Sequence, residues 1–176
     1  TVRDAEGEVV FESGAIRPDG SIAGNDGGED PDRYEPHHER ITEPEQVQIY
    51  EAIMADTEGD VTTGLLAAIR FVKDNRVLPR GFDKTTAPED IAVQGAAFED
   101  DDFVGARDRV RYAAAIDPGT GPFRVEAELV YQPIAFRWAK NLLEQQAPEI
   151  DRFVDYYDSM SESSSKVLAS ASHRVR

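Results

Sequence analysis

The chain has 176 residues, 40% of them hydrophobic, and sets 35 acidic side chains against 19 basic ones, for a formal charge of −16. That length suits one domain with a substantial core, since single domains run to roughly 100–200 residues, and the charge excludes nucleic acid and an anionic membrane surface as partners, because phosphate would be repelled. No apolar run approaches the roughly 20 residues that span a bilayer, so no membrane insertion is expected, and the absence of cysteine removes disulfides, thiolate metal sites, cysteine nucleophiles and covalent c-type haem attachment from this chain.

The chain opens on "TVRDAEGEVVF", directly in what reads as a strand, and this start is expected to be that of a piece cut from a longer protein. Val2-Arg3, the turn "DAEG" and residues 8–13 predict a β-hairpin, with Val9 and Phe11 alternating against polar neighbours. Residues 14–40 are rich in Gly, Asp and Pro and predict a long surface excursion, of a length that is usually functional or pinned by something. Val47, Ile49 and Ile53 alternate as on a strand; in residues 61–75 Leu65, Leu66, Ile69 and Val72 fit a helical stripe, but Val61, Thr62 and Thr63 favour a strand, and a strand pair across the "DTEGD" turn is the preferred reading. "LPRGFD" then sends the chain elsewhere, and residues 85–107 read as loop with at most a short helical turn.

The alternations at 108–116 and 121–132, joined by "DPGTG", predict a hairpin with Val110, Tyr112, Ala114 and Ile116, and Phe123, Val125, Ala127, Leu129 and Tyr131, on a buried face. Residues 133–147 predict a helix, and Pro148 a second one, whose Ile150, Phe153, Val154 and Tyr157 form an i, i+3, i+4, i+7 stripe. A Ser-rich tail, 161–176, follows, with a last short strand at 166–169. The expected fold is mainly β: an antiparallel β-sandwich over 1–132 with its long loop at 14–40, and two C-terminal helices over 133–160 appended to the same domain.

Several stretches resemble a known family. "EPHHERI", "VQIYEAIMAD", "DNRVLPRGFD" and "VEAELVYQPIAFRWAKNLL" are similar to the C-terminal, haem-free region of certain bacterial multihaem c-type cytochromes. The matched positions include Asp74, Asn75, Arg76, Val77, Leu78, Pro79, Gly81 and Phe82 at one strand end, and Tyr131, Gln132 and Pro133 at another. The resemblance spans about residues 9–143 and rests on structural punctuation. It implies an Ig-like arrangement of the sandwich, an exported or periplasmic location, and a haem-bearing part upstream. No CxxCH motif is present, so haem c would belong to that upstream part and not to this chain.

Three groups of residues compete for a site. Lys73, Arg76, Arg80 and Lys84 gather around Pro79 and Gly81 in an otherwise acidic chain. One reading is a docking patch of Lys73, Asn75, Arg76, Pro79, Arg80, Gly81 and Phe82, facing haem propionates or an acidic partner. The stronger reading is a structural turn in which Arg76 and Arg80 pair with Asp74 and Asp83. Asp26, Asp30 and Asp32, with Asn25 and Glu29, offer hard oxygen ligands to Ca²⁺ in a Gly-rich loop, but without the EF-hand spacing, so a solvated acidic turn is favoured. His37 and His38 are a candidate ligand pair for a metal or for a neighbouring haem; adjacent residues on an extended chain point to opposite sides and rarely share one ion. The run "EDDDF" at 99–103 reads as a solvated face.

No Gly-x-Ser-x-Gly, phosphate loop or HExxH occurs, so no enzymatic role is expected. The resulting expectation is a non-catalytic accessory domain of an exported multihaem cytochrome, docking on the haem domain of the same protein or on a redox partner protein. The alternative is a free-standing secreted ligand-binding module stabilised by calcium.

Overall fold

The computed structural model describes every residue except Glu144 and the side chain of Glu29. Among the described residues there are nine strands, β1 (Val2–Arg3), β2 (Val9–Phe11), β3 (Arg40–Ile41), β4 (Ala52–Ala55), β5 (Val61–Thr62), β6 (Arg70–Asp74), β7 (Arg111–Tyr112), β8 (Phe123–Tyr131) and β9 (Lys166–Val175). The helices are α1 (Asp26–Glu29), α2 (Phe136–Leu142) and α3 (Pro148–Ser164). The protein is thus β-rich with a smaller helical share, and its sheets do not close. No described helix is long and apolar enough to cross a membrane.

The chain divides into two compact units, each made of discontinuous segments and cutting across the expected 1–132 block. Unit 1 holds Thr1–Gly24, Glu43–Glu45 and Ala114–Arg176; unit 2 holds Asn25–Thr42 and Gln46–Ala113.

Unit 1 is built on an antiparallel sheet of order β2-β1-β8-β9. The expected N-terminal hairpin forms: the Asp4 carboxylate accepts the N–H groups of Glu6 and Glu8, and Gly7 takes a φ of +88° that an L side chain would resist. Both expected C-terminal helices form, although α2 covers only Phe136–Leu142 of the expected 133–147. Pro148 begins α3 with Glu149 and Asp151 in its first turn, and Ile150, Phe153, Val154 and Tyr157 are its half-buried positions. Ser161 continues that stripe; its hydroxyl donates to Pro18 O at 2.7 Å, while Gln132 Nε2 donates to Gly20 O at 2.6 Å. The first part of the long excursion is therefore pinned through backbone carbonyls.

The C-terminal segment departs from expectation. The serines extend α3 through Ser164, with Ser163 and Ser164 donating back to Met160 O and Ser161 O. The last strand then runs for ten residues, not four.

The predicted hairpin of 108–116 with 121–132 does not form. Asp117 caps a short 3-10 turn, accepting from Gly119 N, which redirects the chain. β8 pairs instead with β1 and with all of β9, whereas β7 runs parallel to β3 in unit 2. There Arg111 N–H donates to Glu39 O and Ala113 N–H to Ile41 O, and Ile41 is fully buried. Parallel pairing needs a long crossover, which the chain between β3 and β7 supplies. Residues Ala127, Leu129 and Tyr131 of β8, placed on a buried face by alternation, are exposed.

Unit 2 carries an antiparallel sheet of order β5-β4-β6. The β4–β5 turn is held by the Asp56 carboxylate, which accepts from Glu58, Gly59 and Asp60. The unit's core is Leu78, Val93, Ala97 and Phe103, with Tyr50 and Phe82 packed against it. The "LPRGF" turn closes that core: Phe82 N–H donates to Pro79 O at 3.1 Å, and Gly81 has φ +84°. This turn lies on Gly105, where an added Cβ would stand 2.9 Å from Pro79 O and 3.0 Å from Gly81 N. Both are backbone atoms and cannot swing away. Gly105→Ala is therefore expected to destabilise the protein by about 1–3 kcal/mol, measured by urea unfolding, through displacement of the whole turn.

Candidate functional site: a buried histidine network

The basic stretch 73–84 divides into inward and outward halves. Lys73 is 1% exposed, and its Nζ donates to Ile49 O at 2.9 Å and to Glu51 Oε1 at 3.0 Å. It stands near the end of β6, where the next residue, Asp74, is buried as well. Arg76 forks onto Asp74, with Nε at 2.9 Å and Nη2 at 2.6 Å from the two carboxylate oxygens, and lies over the Phe71 ring. Lys84 Nζ donates to Ala97 O at 3.1 Å and to Asp100 O, above the Phe103 ring.

Arg80 is exposed and makes no ion pair among the described residues. Its expected partner Asp83 instead accepts from the Thr85 hydroxyl and N–H, which hold the carboxyl below its ordinary range. Three of the four bases are thus anchors of the turn, the reading favoured from sequence, with Arg76 paired as expected and Arg80 not. The docking patch keeps only Arg80 and the exposed part of Arg76 on its charged side.

Asn75 is the member of this stretch that composition could not mark. It is fully buried. Its Oδ1 accepts Glu51 N–H at 2.9 Å, and its Nδ2 donates to Ile49 O at 2.9 Å and to His37 Nδ1 at 3.1 Å. The two backbone bonds fix which end of the carboxamide is oxygen. Gln48 is fixed in the same way: its Oε1 accepts His38 N–H at 2.8 Å, leaving Nε2 to donate to His37 Nδ1 at 2.9 Å. Nδ1 therefore faces two N–H donors and carries no proton. The ring proton sits on Nε2 and is donated to Asp100 Oδ2 at 3.1 Å. The imidazole is 1% exposed and packs 5.0 Å from the Phe103 ring centroid, tilted.

Asp108 completes the cluster. Its Oδ1 lies 3.9 Å from His37 Nε2, and its Oδ2 accepts the Tyr50 hydroxyl at 2.5 Å. Burial, and then the bond to Asp108, push the Tyr50 phenol far above its ordinary range. His38 points the other way, with Nε2 3.1 Å from Glu35 Oε2, as alternation along an extended segment requires.

His37, Asp100 and Asp108 bring potential ligand atoms within 4.8 Å of one another, the spacing of a His-Asp-Asp metal centre. Their surroundings do not fit one. A histidine that ligates through one nitrogen keeps its proton on the other and donates it to an acceptor. A cation on Nε2 would move the His37 proton to Nδ1, against the N–H groups of Asn75 and Gln48.

The acidic loop does not converge on an ion either. Asp26 forms an ion pair with Arg33, Asp30 accepts Asp32 N–H, and Asn25 caps α1 by accepting Gly27 N–H. Asp26, Asp30 and Asp32 are not gathered with His37 or His38; the side chain of Glu29 lies outside the described residues. The reading of 99–103 as a solvated face is corrected: Asp100 is 3% and Phe103 1% exposed. A lone apolar residue closing an acidic run was the one signal that this segment turns inward. Nothing in the spacing pointed to Asp108.

No protein-family model, curated protein or solved structure matches the chain.

Asn75→Ala leaves Glu51 N–H without its side-chain acceptor and takes one of two donors from each of Ile49 C=O and His37 Nδ1, and is expected to cost roughly 2–4 kcal/mol by chemical denaturation. In the same assay, zinc or calcium is expected to leave the unfolding midpoint of the wild type where a chelator leaves it; a rise with zinc would contradict the tautomer assignment. Because the folded state favours the neutral phenol, Tyr50 contributes fully below its unfolded pKa of about 10, and the contribution is lost as pH rises above that. Tyr50→Phe is expected to be less stable near neutrality but to lose stability less steeply between about pH 9.5 and 11.

Proposed function

We propose that this chain is a non-catalytic docking module of an exported multihaem c-type cytochrome, working against the haem-bearing domain of that protein or against a redox partner. The observation that supports a docking role is how the polar side chains of unit 2 are used. Both nitrogens of His37, the Asn75 carboxamide and the Lys73 ammonium are bound to internal partners. The chemistry-bearing groups thus serve to hold the turn at 75–82, and reachable function falls to surfaces.

The affiliation rests on the resemblance. Its motif residues hold strand ends and turns: Asp74 and Asn75 close β6, Pro79 and Gly81 form the turn, and Gln132 ties the end of β8 to Gly20 O. The Ig-like sandwich is part of the same proposal, the antiparallel sheet of unit 1 being the portion that agrees with it. The calcium-stabilised module has less support, since the loop carboxylates are engaged by Arg33 and by backbone N–H groups.

The test is the reading frame that precedes Thr1. It is expected to encode CxxCH motifs, and the full-length product to bind haem covalently. Removing residues 1–176 from it should preserve the haem spectrum but slow reduction by the partner. A reading frame without CxxCH would sink the affiliation.

A further inference from the structure

The sheet of unit 1 has a free edge at β9. All ten residues of β9 are exposed, and the strand is bonded on one side only, to β8. An edge of this length offers a row of unpaired N–H and C=O groups, which proteins usually blunt with Pro, with inward charges or by shortening the strand. "KVLASASHRV" contains no Pro and is not shortened; its charges, Lys166 and Arg174, stand near its two ends and leave the middle of the edge open. Its one irregularity is a register shift opposite Leu129 and Val130.

The charge on this edge runs against the rest of the chain. Residues 163–176 contain no acid, and carry Lys166, Arg174 and Arg176 in a protein of net charge −16. The register makes the concentration sharper. Arg3 of β1 stands opposite Arg124 of β8, which stands opposite Arg174 of β9. Like charges directly opposite one another oppose pairing unless something neutralises them. Between the first two, Glu126 does so: its carboxylate lies 3.7 Å from Arg3 and 2.8 Å from Arg124. In the corresponding place on β9, opposite Glu126, stands Ser172. The shallow cleft lined by Arg124, Ser172, His173 and Arg174 therefore contains no carboxylate, and Arg174 makes no ion pair among the described residues.

We propose that β9 is a docking edge that receives an extended, acidic segment of a partner protein as a fifth strand. Backbone bonds along the open edge supply affinity, and acidic side chains beside Arg174 and Lys166 supply selectivity. A second copy of this chain is the poorer occupant. Antiparallel self-pairing centred on Ser170 would set Lys166 against Arg174, two cations face to face. The proposal rests on unit 1 alone and is independent of any haem affiliation.

The experiment uses the full chain and a synthetic peptide of five Val-Glu repeats, with a Val-Lys peptide of equal length as control, followed by fluorescence anisotropy. The acidic peptide is expected to bind at least about tenfold more tightly than the basic one at low salt, with the difference shrinking as salt rises. The exposed double reversal Lys166→Glu with Arg174→Glu should reverse the preference. Proline is placed at Ser170 and, separately, at Ala171. Neighbouring strand residues direct their N–H groups to opposite sides, so one variant removes only an outward donor; that variant should keep its melting temperature and lose peptide binding. If both prolines disrupt the sheet, the charge-reversal pair still decides. Equal binding of both peptides, no binding of either, or concentration-dependent dimerisation that the reversal abolishes would overturn the proposal.

Discussion

Unit 2 depends on one carboxamide. Asn75 directly follows β6, and from that point its side chain bonds the backbone of two residues in the 49–51 segment and the ring of His37. Asn75 and His37 are buried and the 49–51 segment is half-buried, and a buried member left unpaired would carry a desolvation cost of about 1–3 kcal/mol. A network of this kind adds little over an apolar core when complete and penalises every rearrangement that breaks it. It therefore specifies how the segments around residues 37, 49 and 75 meet, more than it adds to stability. Lys73, two residues earlier, works in the same way on the same carbonyl, its ammonium neutralised by Glu51 and fixed by Ile49 O.

The second consequence concerns chemistry. One histidine and two aspartates within a few ångströms have the outline of a metal centre. The outline is decided by what stands behind the imidazole. Two amide groups, each oriented by a backbone bond of its own, direct N–H groups at Nδ1 and so commit the ring proton to Nε2. The aspartates then have separate duties, Asp100 as acceptor for His37 and Asp108 as acceptor for Tyr50. The cluster is a means of burying three polar side chains beside Phe103 and Tyr50 without leaving any of them unpaired.

What was legible in the sequence follows range of interaction. The hairpin at Asp4–Gly7, the turn at Pro79–Gly81, the start of α3 at Pro148 and its stripe at Ile150, Phe153, Val154 and Tyr157 are set by neighbours a few residues away, and they stand as read. Strand partners were legible across the short turns, β1 with β2 and β4 with β5, but not between distant segments. The alternation at 121–132 marks β8 as a strand, but nothing local tells it to pair with residues 166–175 in place of 108–116. The polar cluster was half legible. The gathering of bases at 73–84 drew the eye to the right stretch for the wrong member, since Asn75 carries no charge to notice. Asp100 sits in an acidic run whose other members are solvated, and only tertiary contact distinguishes it.

The two units thus differ in one respect: unit 2 encloses Glu35, His37, Lys73, Asp74 and Asp100, while unit 1 leaves a long basic strand edge in solvent. The central claim is the enclosure, and it comes down to the position of one proton. Nitrogen-15 NMR of the imidazole distinguishes a protonated ring nitrogen from an unprotonated one by chemical shift and by coupling to the attached hydrogen. With the full chain labelled at histidine, His37 is predicted to show a protonated Nε2 and a bare Nδ1, with Nδ1 shifting when Asn75 or Gln48 is substituted. A proton on Nδ1, with Nε2 bare and free to ligate, would contradict the account.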